Sequence, residues 1–218
     1  MVVTLDAMGT QRAIAADIVK RGGDYILAVK GNQGRLHDEI RDQFDFALRQ
    51  LAGTKLDSAR WSAARTEESG HDRTETRSVL VCHDLEWMSP DIRADWSGLA
   101  SIIMVHRHTL LGGGKTRSET SYYISSLKET RAAAMLGYIR GHWSIENRCH
   151  WVLDAICRED HNQTRDRTAA ANQATMRRMA LNAHNRMPYE GKRPKSLPKR
   201  ELRALTDKTY LEKLLSLT

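Results

Sequence analysis

Two short apolar runs flank a helical stretch within the first thirty residues, and this pattern constrains the fold most. Residues 2–5 and 25–29 predict buried strands, and the apolar residues between them recur at helical spacing until Gly22-Gly23. The short connections predict parallel pairing with a right-handed crossover. Asp6 would then lie at the carboxyl end of the first strand, the edge where open α/β sheets bind ligands.

The apolar patterns and turn signals divide the whole chain into four segments. The first segment, residues 1–52, ends with a second amphipathic helix that runs from Leu36 to Leu51. Residues 53–127 are predicted to be β-rich. The predicted strands are 77–85, 99–108 and 119–127, with a glycine turn at 112–114. Residues 128–187 are helical, including 168–186. Residues 188–218 form a basic tail, flexible until about residue 200, with a closing helix at 208–217. We therefore expect an α/β fold whose β-rich section is an insertion.

Composition narrows the classes of partner. The chain has 218 residues, with 34 Lys and Arg against 27 Asp and Glu, a formal charge of +7 that favours an anionic partner such as nucleic acid. No apolar run approaches the roughly 20 residues of a membrane span, and no signal-like start is present, so we expect a cytoplasmic protein with no membrane contact. Three cysteines without CxxC spacing predict reduced core thiols.

Glu146 occupies an unusual place in the helical segment. At helical spacing it falls, with His142, inside the apolar arc that contains Ile139, Ile145 and Leu153. Because burying an ionised carboxylate without a partner is expensive, Glu146 needs a cation, a metal or a proton donor. Two interpretations stay open: an ion pair with a nearby arginine, or a catalytic carboxylate.

Asp6 and Glu146 are candidates for one metal site. An α/β layer can bring a strand-end acid and a late helix together, and Mg²⁺ prefers oxygen ligands and serves phosphoryl transfer. DNA is the natural substrate for a basic chain with such a site. The alternative for Asp6 is a turn or helix-cap residue.

Several motifs resemble one known family. They are residues 3–9 (VTLDAMG), 24–34 (DYILAVKGNQG), 122–127 (YYISSL), 142–147 (HWSIEN) and 150–154 (HWVLD). Together they resemble the H-repeat-associated, ISAs-type insertion-sequence transposases, a branch of the DDE transposases with an RNase H-like catalytic core. The likeness extends to about residue 186.

The resemblance implies a site and an activity. Asp6 matches the second catalytic aspartate and Glu146 the catalytic glutamate, both as ligands of Mg²⁺ or Mn²⁺. The implied reaction is metal-dependent DNA cleavage at transposon ends followed by strand transfer into target DNA. The implied partners are DNA and a second copy or a full-length transposase, in the bacterial cytoplasm and on the nucleoid when bound to DNA.

One departure from the family pattern lies at the start of the chain. The first aspartate of the family lies upstream in a Leu-Asp-Gly-Lys-like strand, whereas five residues precede Asp6 here. Asp24 cannot replace it, because it begins a strand and so lies at the opposite edge. We therefore expect the truncated, C-terminal part of a transposase, with an incomplete RNase H-like core. The alternative function is an inactive remnant that binds DNA or a full-length transposase.

Six further residues are candidate DNA contacts. Lys30, Asn32 and Gln33 follow the second strand, and the alternative for them is a polar turn. His142 either contacts a phosphate or is a packed, hydrogen-bonded histidine. Lys115 and Arg117, beside the glycine turn, either reach a phosphate backbone or are solvated charges. Trp143 and Trp151 either stack on a base or pack in the core, and we expect core packing for at least one.

Overall fold

The structure is a computed structural model that describes residues 1–50, 57, 59–70, 72–128, 131–145, 149–189 and 195–217. The chain divides into two compact units, Met1–His142 and Trp143–Thr218. Each unit is described separately below.

The first unit contains a six-stranded mixed sheet in the order β1-β2-β6-β5-β4-β3. β1 and β2 are parallel, and every other neighbouring pair is antiparallel. The strands are β1 (Val2–Leu5), β2 (Asp24–Val29), β3 (Trp61–Gly70), β4 (Arg73–Cys82), β5 (Ser101–Leu111) and β6 (Thr116–Ser125).

Helices cover both faces of this sheet, because its central strands are apolar on both sides. Leu27 faces one core and Ile26, its neighbour, faces the other, as alternation along a strand requires. The first core receives α1 (Arg12–Lys20), α2 (Gly34–Gln50) and α3 (Pro90–Asp95), and the second receives α4 (Ala132–Ile145).

The predicted strand–helix–strand unit is confirmed. β1 and β2 pair in parallel from Val2 opposite Asp24 to Leu5 opposite Leu27. The glycine stop after α1 is also present, because Gly22 has a φ of 73°, which side-chain-bearing residues rarely adopt. Asp24 lies at the end of the pair opposite Asp6, as expected, and its Oδ1 accepts a hydrogen bond from Ser126 Oγ at 3.0 Å.

The section predicted as a β-rich insertion does contain strands, and they continue the same sheet. β6 pairs with β2, so β3 to β6 extend the parallel pair instead of forming a layer of their own. The predicted glycine turn connects β5 to β6. Sequence reasoning missed β3, an outer strand, and the short helix α3.

The second unit is helical within its described part. A π-helical turn at Val152–Ile156 precedes α5 (Arg167–Arg186), α6 (Leu197–Thr206) and α7 (Lys208–Leu215). Its core contains Leu153, Leu181 and Leu197. Across the described residues, no helix combines the length and the apolar character that crossing a membrane requires.

The predicted flexible stretch up to residue 200 is wrong from Leu197 onward, where α6 begins. Pro198 occupies the first turn of the helix, where a proline costs no hydrogen bond, and the side chain of Leu197 is buried. Residues 190–194 lie outside the described part of the chain. The closing helix is confirmed as α7, whose first turn is capped by Asp207 through the backbone N–H of Tyr210 at 3.0 Å.

Candidate active site

Asp6 is exposed directly after β1, at the carboxyl end of the parallel strand pair. Its Oδ1 accepts a hydrogen bond from the backbone N–H of Gly9 at 3.1 Å. The turn role considered for this residue is therefore real, and it fixes the orientation of the carboxylate. A turn role and a ligand role are compatible, because the side chain remains open to solvent.

Thr10 ties the Asp6 loop to the end of the neighbouring strand. Its side chain is fully buried, and its hydroxyl lies within hydrogen-bond distance of the carbonyl oxygens of Asp6 (3.0 Å) and Ala28 (2.6 Å). Ala28 belongs to β2, so one hydroxyl bridges the two parallel strands at their carboxyl ends. The bridge limits the freedom of the backbone that carries Asp6.

Asn32 and Gln33 hold the same loop from the other side. They lie in a 3₁₀ turn at Gly31–Gln33. The Asn32 amide donates to the carbonyl oxygen of Ala7 at 2.6 Å, and the Gln33 amide donates to that of Thr10 at 2.8 Å. The polar-turn alternative is therefore present, with a more specific role than sequence reasoning gave it. As DNA contacts, both residues and the exposed Lys30 stay predictions.

His142, near the C-terminal end of α4, contacts Thr4 of β1. Thr4 lies two residues before Asp6 in the sequence. Its Nδ1 is 3.1 Å from Thr4 Oγ1, and its ring is partly buried. Because alternate residues of a strand share a face, Thr4 and Val2 both point toward the α4 side of the sheet. The hydrogen-bonded alternative for His142 is thus present, and its phosphate contact stays a prediction.

The end of α4 is also tied to the other outer strand. Arg140 forms an ion pair with Glu68 of β3 at 2.6 Å, and Arg77 of β4 approaches the same carboxylate at 3.2 Å. The hydrogen bond from Arg140 holds the pKa of Glu68 below its usual range. Arg140 and His142, which are two residues apart, thus link the C-terminal part of α4 to both outer strands of the sheet.

Glu146 lies, with Asn147 and Arg148, outside the described part of the chain. The single apolar arc expected around it is wrong in the residues that flank it. Ile139 packs against the sheet and is 5 % exposed, whereas Ile145 is 52 % exposed. Trp143 and Trp151 are also more than half exposed, so the expectation that at least one packs in the core is wrong.

Lys115 and Arg117 lie at the tip of the β5–β6 hairpin. Tyr122 of β6 is paired with Val29, the last residue of β2. Lys115 precedes Tyr122 by seven residues, so at the usual rise of a strand it lies about 23 Å beyond the carboxyl end of β2. The hairpin runs past the sheet edge at which Asp6 lies. Both side chains are exposed, with Arg117 at 4.0 Å from Glu119, so the tip carries solvated charge and stays a predicted DNA contact.

The donor chemistry at Asp6 fits a hard cation. A solvent-facing carboxylate at a strand end, oriented by a backbone N–H, is a suitable single ligand for Mg²⁺ or Mn²⁺. Within the ranges that the structure describes, no group of three or more His, Cys, Asp or Glu side chains converges on a metal-sized site. Glu146, the second predicted ligand, lies outside these ranges and stays a prediction.

Comparison with known proteins assigns the chain, rather than any single residue, to a family. The family model described as "Transposase DDE domain" matches residues 2–183. No solved structure matches the chain.

Three curated relatives come from Escherichia coli. "Putative protein YbfL" of strain K12 is 38 % identical over 184 residues, and "H repeat-associated putative transposase YhhI" of the same strain is 37 % identical over 184 residues. "Putative transposase YncI" of O157:H7 is 36 % identical over 185 residues. Each alignment covers 83 % of this chain but only 46 %, 46 % and 44 % of the respective relative, so the chain spans less than half the length of these relatives.

The matched region begins at β1, includes Asp6 and the motif that contains Glu146, and ends within α5. The chain therefore belongs to the DDE transposase family, as its resemblance to the H-repeat-associated, ISAs-type branch predicted.

Proposed function

We propose that this chain carries two of the three metal-binding carboxylates of an RNase H-like nuclease site, Asp6 and Glu146. The observation that carries the proposal is the construction of the Asp6 loop. Four side-chain contacts, from Asp6 itself, Thr10, Asn32 and Gln33, fix a short exposed loop whose only acid faces solvent. A carboxylate whose loop is held in one conformation is what a preorganised metal site requires.

His142 supports the same proposal from the helix side. Its contact with Thr4 joins the C-terminal part of α4 to β1, and Glu146 follows four residues later in the sequence. We infer that the motif of residues 142–147 serves to deliver Glu146 toward the carboxyl end of β1. In this interpretation His142 is a positioning residue, since its ring is engaged by Thr4.

The proposed reaction is DNA cleavage at transposon ends followed by strand transfer. A divalent cation, Mg²⁺ or Mn²⁺, would there stabilise the charge that develops on the attacking and leaving oxygens of a phosphodiester. The chain's own residues would hold that cation through Asp6 and Glu146 and keep the loop rigid. The hairpin tip with Lys115 and Arg117, together with Lys30, would contact DNA phosphates on the same side of the sheet.

The family resemblance implies a first carboxylate on an upstream strand, and the relatives are about twice as long as the aligned part of this chain. A protein with this substrate would act on the bacterial nucleoid, in the cytoplasm. Full cleavage and joining are thus proposed for a full-length transposase, whereas for this chain, in which Asp6 and Glu146 would hold one cation, we propose metal-dependent nicking.

A cleavage assay tests this function. The purified chain is incubated with end-labelled duplex DNA that carries the inverted repeats flanking its coding sequence, with Mg²⁺, Mn²⁺ or EDTA. We expect metal-dependent nicking that is lost in both Asp6→Asn and Glu146→Gln. Asp24→Asn is the matched control, because it removes a carboxylate charge at the opposite end of the same strand pair and should nick normally. Nicking that persists in Glu146→Gln would contradict the proposal.

A second candidate function is a catalytically inactive chain that binds DNA or a full-length transposase. The observation that favours it is the concentration of lysine and arginine in the second unit, away from Asp6 in the sequence. It predicts no nicking under any metal condition, together with salt-dependent DNA binding or co-elution with a full-length relative. The same preparations therefore decide between the two functions.

A further inference from the structure

A cation-rich pocket lies in the second unit, outside the part of the chain that matches the family. Its volume is about 340 Å³, and it lies between the chain that follows α5 and helices α6 and α7. The family match ends at residue 183, before the first residue of this pocket. We call it the basic pocket; its charged lining residues are Lys195, Lys199, Arg200, Arg203, Lys213 and Asp207.

The two arginines are held in place by the fold. Arg203 forms an ion pair with Asp207 at 3.2 Å, and its guanidinium lies 4.7 Å from the ring centre of Tyr210. Arg200 donates a hydrogen bond to the carbonyl oxygen of His184, while its Nε is buried without a hydrogen-bond partner. A guanidinium anchored in this way at the lining of a pocket is suited to bind an oxyanion.

The lysines supply uncompensated charge. Lys195, Lys199 and Lys213 are exposed, and within the described ranges none of them forms an ion pair. Asp207 is the one carboxylate among the lining residues, and it is already engaged by Arg203 and by the backbone of α7. Among the described lining residues, five cations and one acid give four net positive charges around a cavity the size of a small ligand, which favours an anionic occupant.

The aromatic ring of Tyr189 indicates which class of anion the basic pocket binds. Tyr189 lines the pocket and is 57 % exposed, so its ring is open to solvent beside the lysines. Phosphate oxygens pair with lysine and arginine, and exposed aromatic rings stack on bases, which is the combination that binds single-stranded nucleic acid. A duplex keeps its bases stacked inside, away from such a ring.

We propose that the basic pocket binds a phosphate of a single-stranded DNA segment while the adjoining base stacks on Tyr189. The DNA substrate class rests on the proposed function, but the pocket itself does not involve Asp6 or Glu146. Strand separation next to a cleaved end would provide such a segment. The basic pocket would then hold one strand of the substrate independently of the metal.

Fluorescence anisotropy tests the proposal with a labelled 12-nucleotide single strand, a duplex of the same sequence, and AMP as competitor, all in EDTA. The main variant is Lys199→Gln/Lys213→Gln, which removes two exposed charges and leaves the core intact. We expect it to weaken single-strand binding by about tenfold or more. The slope of log affinity against log salt should fall by up to about 0.7 in magnitude, because the one phosphate contact proposed for the pocket contributes about 0.7.

A matched control separates binding in the basic pocket from a non-specific effect of positive charge. Lys208 lies on α7 with Lys213 but outside the pocket, where it pairs with Glu212 at 3.8 Å, so Lys208→Gln should leave binding nearly unchanged. Tyr189→Ala should weaken single-strand binding by about 5- to 150-fold and leave the salt slope unchanged. Because every binding measurement is made in EDTA, a divalent cation at the proposed catalytic site cannot contribute, which separates this proposal from the catalytic one.

Four results would overturn the proposal. Pocket variants that bind as tightly as the unmodified chain would remove the site, and an equal loss in Lys208→Gln would reduce it to non-specific charge. Duplex binding that matches single-strand binding and ignores Tyr189→Ala would exclude the single strand. AMP that binds as tightly as the 12-nucleotide strand would make the pocket a mononucleotide site instead.

Discussion

At the scale of single residues, the Asp6 loop depends on polar contacts that a sequence does not reveal. Thr10 is buried, and its hydroxyl lies within reach of two carbonyl oxygens from different segments. Asn32 and Gln33 reach the same loop from about 25 residues away in the sequence. The strand-end position of Asp6 follows from the apolar run before it, but the rigidity of its loop comes from these distant donors.

Thr10→Val should lower the free energy of unfolding by about 1 kcal/mol, because the isosteric change removes the buried hydroxyl that donates to the carbonyl oxygens of the two strand ends. Urea unfolding followed by circular dichroism measures this loss. Thr175→Val is the matched control, since the Thr175 hydroxyl bonds to Ala171 on an exposed helix face, and it should change stability by less than about 0.5 kcal/mol. Equal effects of the two substitutions would contradict a special role for Thr10.

At the scale of secondary structure, α4 changes its surroundings near its C-terminal end. Its first three turns pack on the sheet through Met135, Leu136 and Ile139, and its last turn exposes Ile145. A continuous apolar stripe through this region predicts a single buried face, which the structure does not have. The stripe is divided because Ile139 belongs to the first compact unit and Leu153 to the second.

Ile139→Ala and Ile145→Ala test this division on one helix. Removing the buried Ile139 side chain should cost about 2–5 kcal/mol of unfolding free energy, as a cavity forms against the sheet. Ile145→Ala removes the same atoms at a position 52 % exposed and should change stability by about 0.5 kcal/mol or less. Thermal and urea unfolding give both values, and comparable losses would mean that Ile145 is buried in solution.

At the scale of the whole molecule, two units of different character adjoin in sequence at residues 142 and 143. The sheet unit was largely predictable, because continuous apolar runs such as residues 25–29 have few alternatives to a buried strand. β3 escaped prediction because alternating charges such as Arg65, Glu67 and Glu68 indicate an exposed segment, and its strand form depends on pairing with β4. The basic pocket was not predictable, since it arises from how α6 and α7 pack.

The buried His184 should make the stability of the second unit depend on pH. Burial, and then the charge of Arg200, lower the pKa of His184 below its ordinary 6.5. The folded state therefore resists a proton that the unfolded chain accepts, so stability is fully present above pH 6.5 and declines as the pH falls through the lowered pKa. Acid should therefore lower the free energy of unfolding of this unit through the buried ring of His184.

Urea unfolding at pH 7.5 and pH 5.5 measures this dependence. The unmodified chain should lose more stability between the two values than His184→Phe, which keeps a ring against Tyr210 but cannot titrate. His161→Gln is the control for the general effect of replacing a histidine in this unit, because His161 is exposed. Identical pH profiles for the chain and His184→Phe would show that His184 is protonated equally in both states.

The central claim is that Asp6 and Glu146 bind one divalent cation, and a Mn²⁺ titration followed by electron paramagnetic resonance tests it most directly. Bound Mn²⁺ loses the sharp signal of the free ion, so binding is read without any dependence on cleavage. The account predicts one class of bound Mn²⁺ that weakens strongly in Asp6→Asn and in Glu146→Gln and persists in Asp24→Asn. Binding that is unchanged in Asp6→Asn and Glu146→Gln would contradict the assignment of both carboxylates.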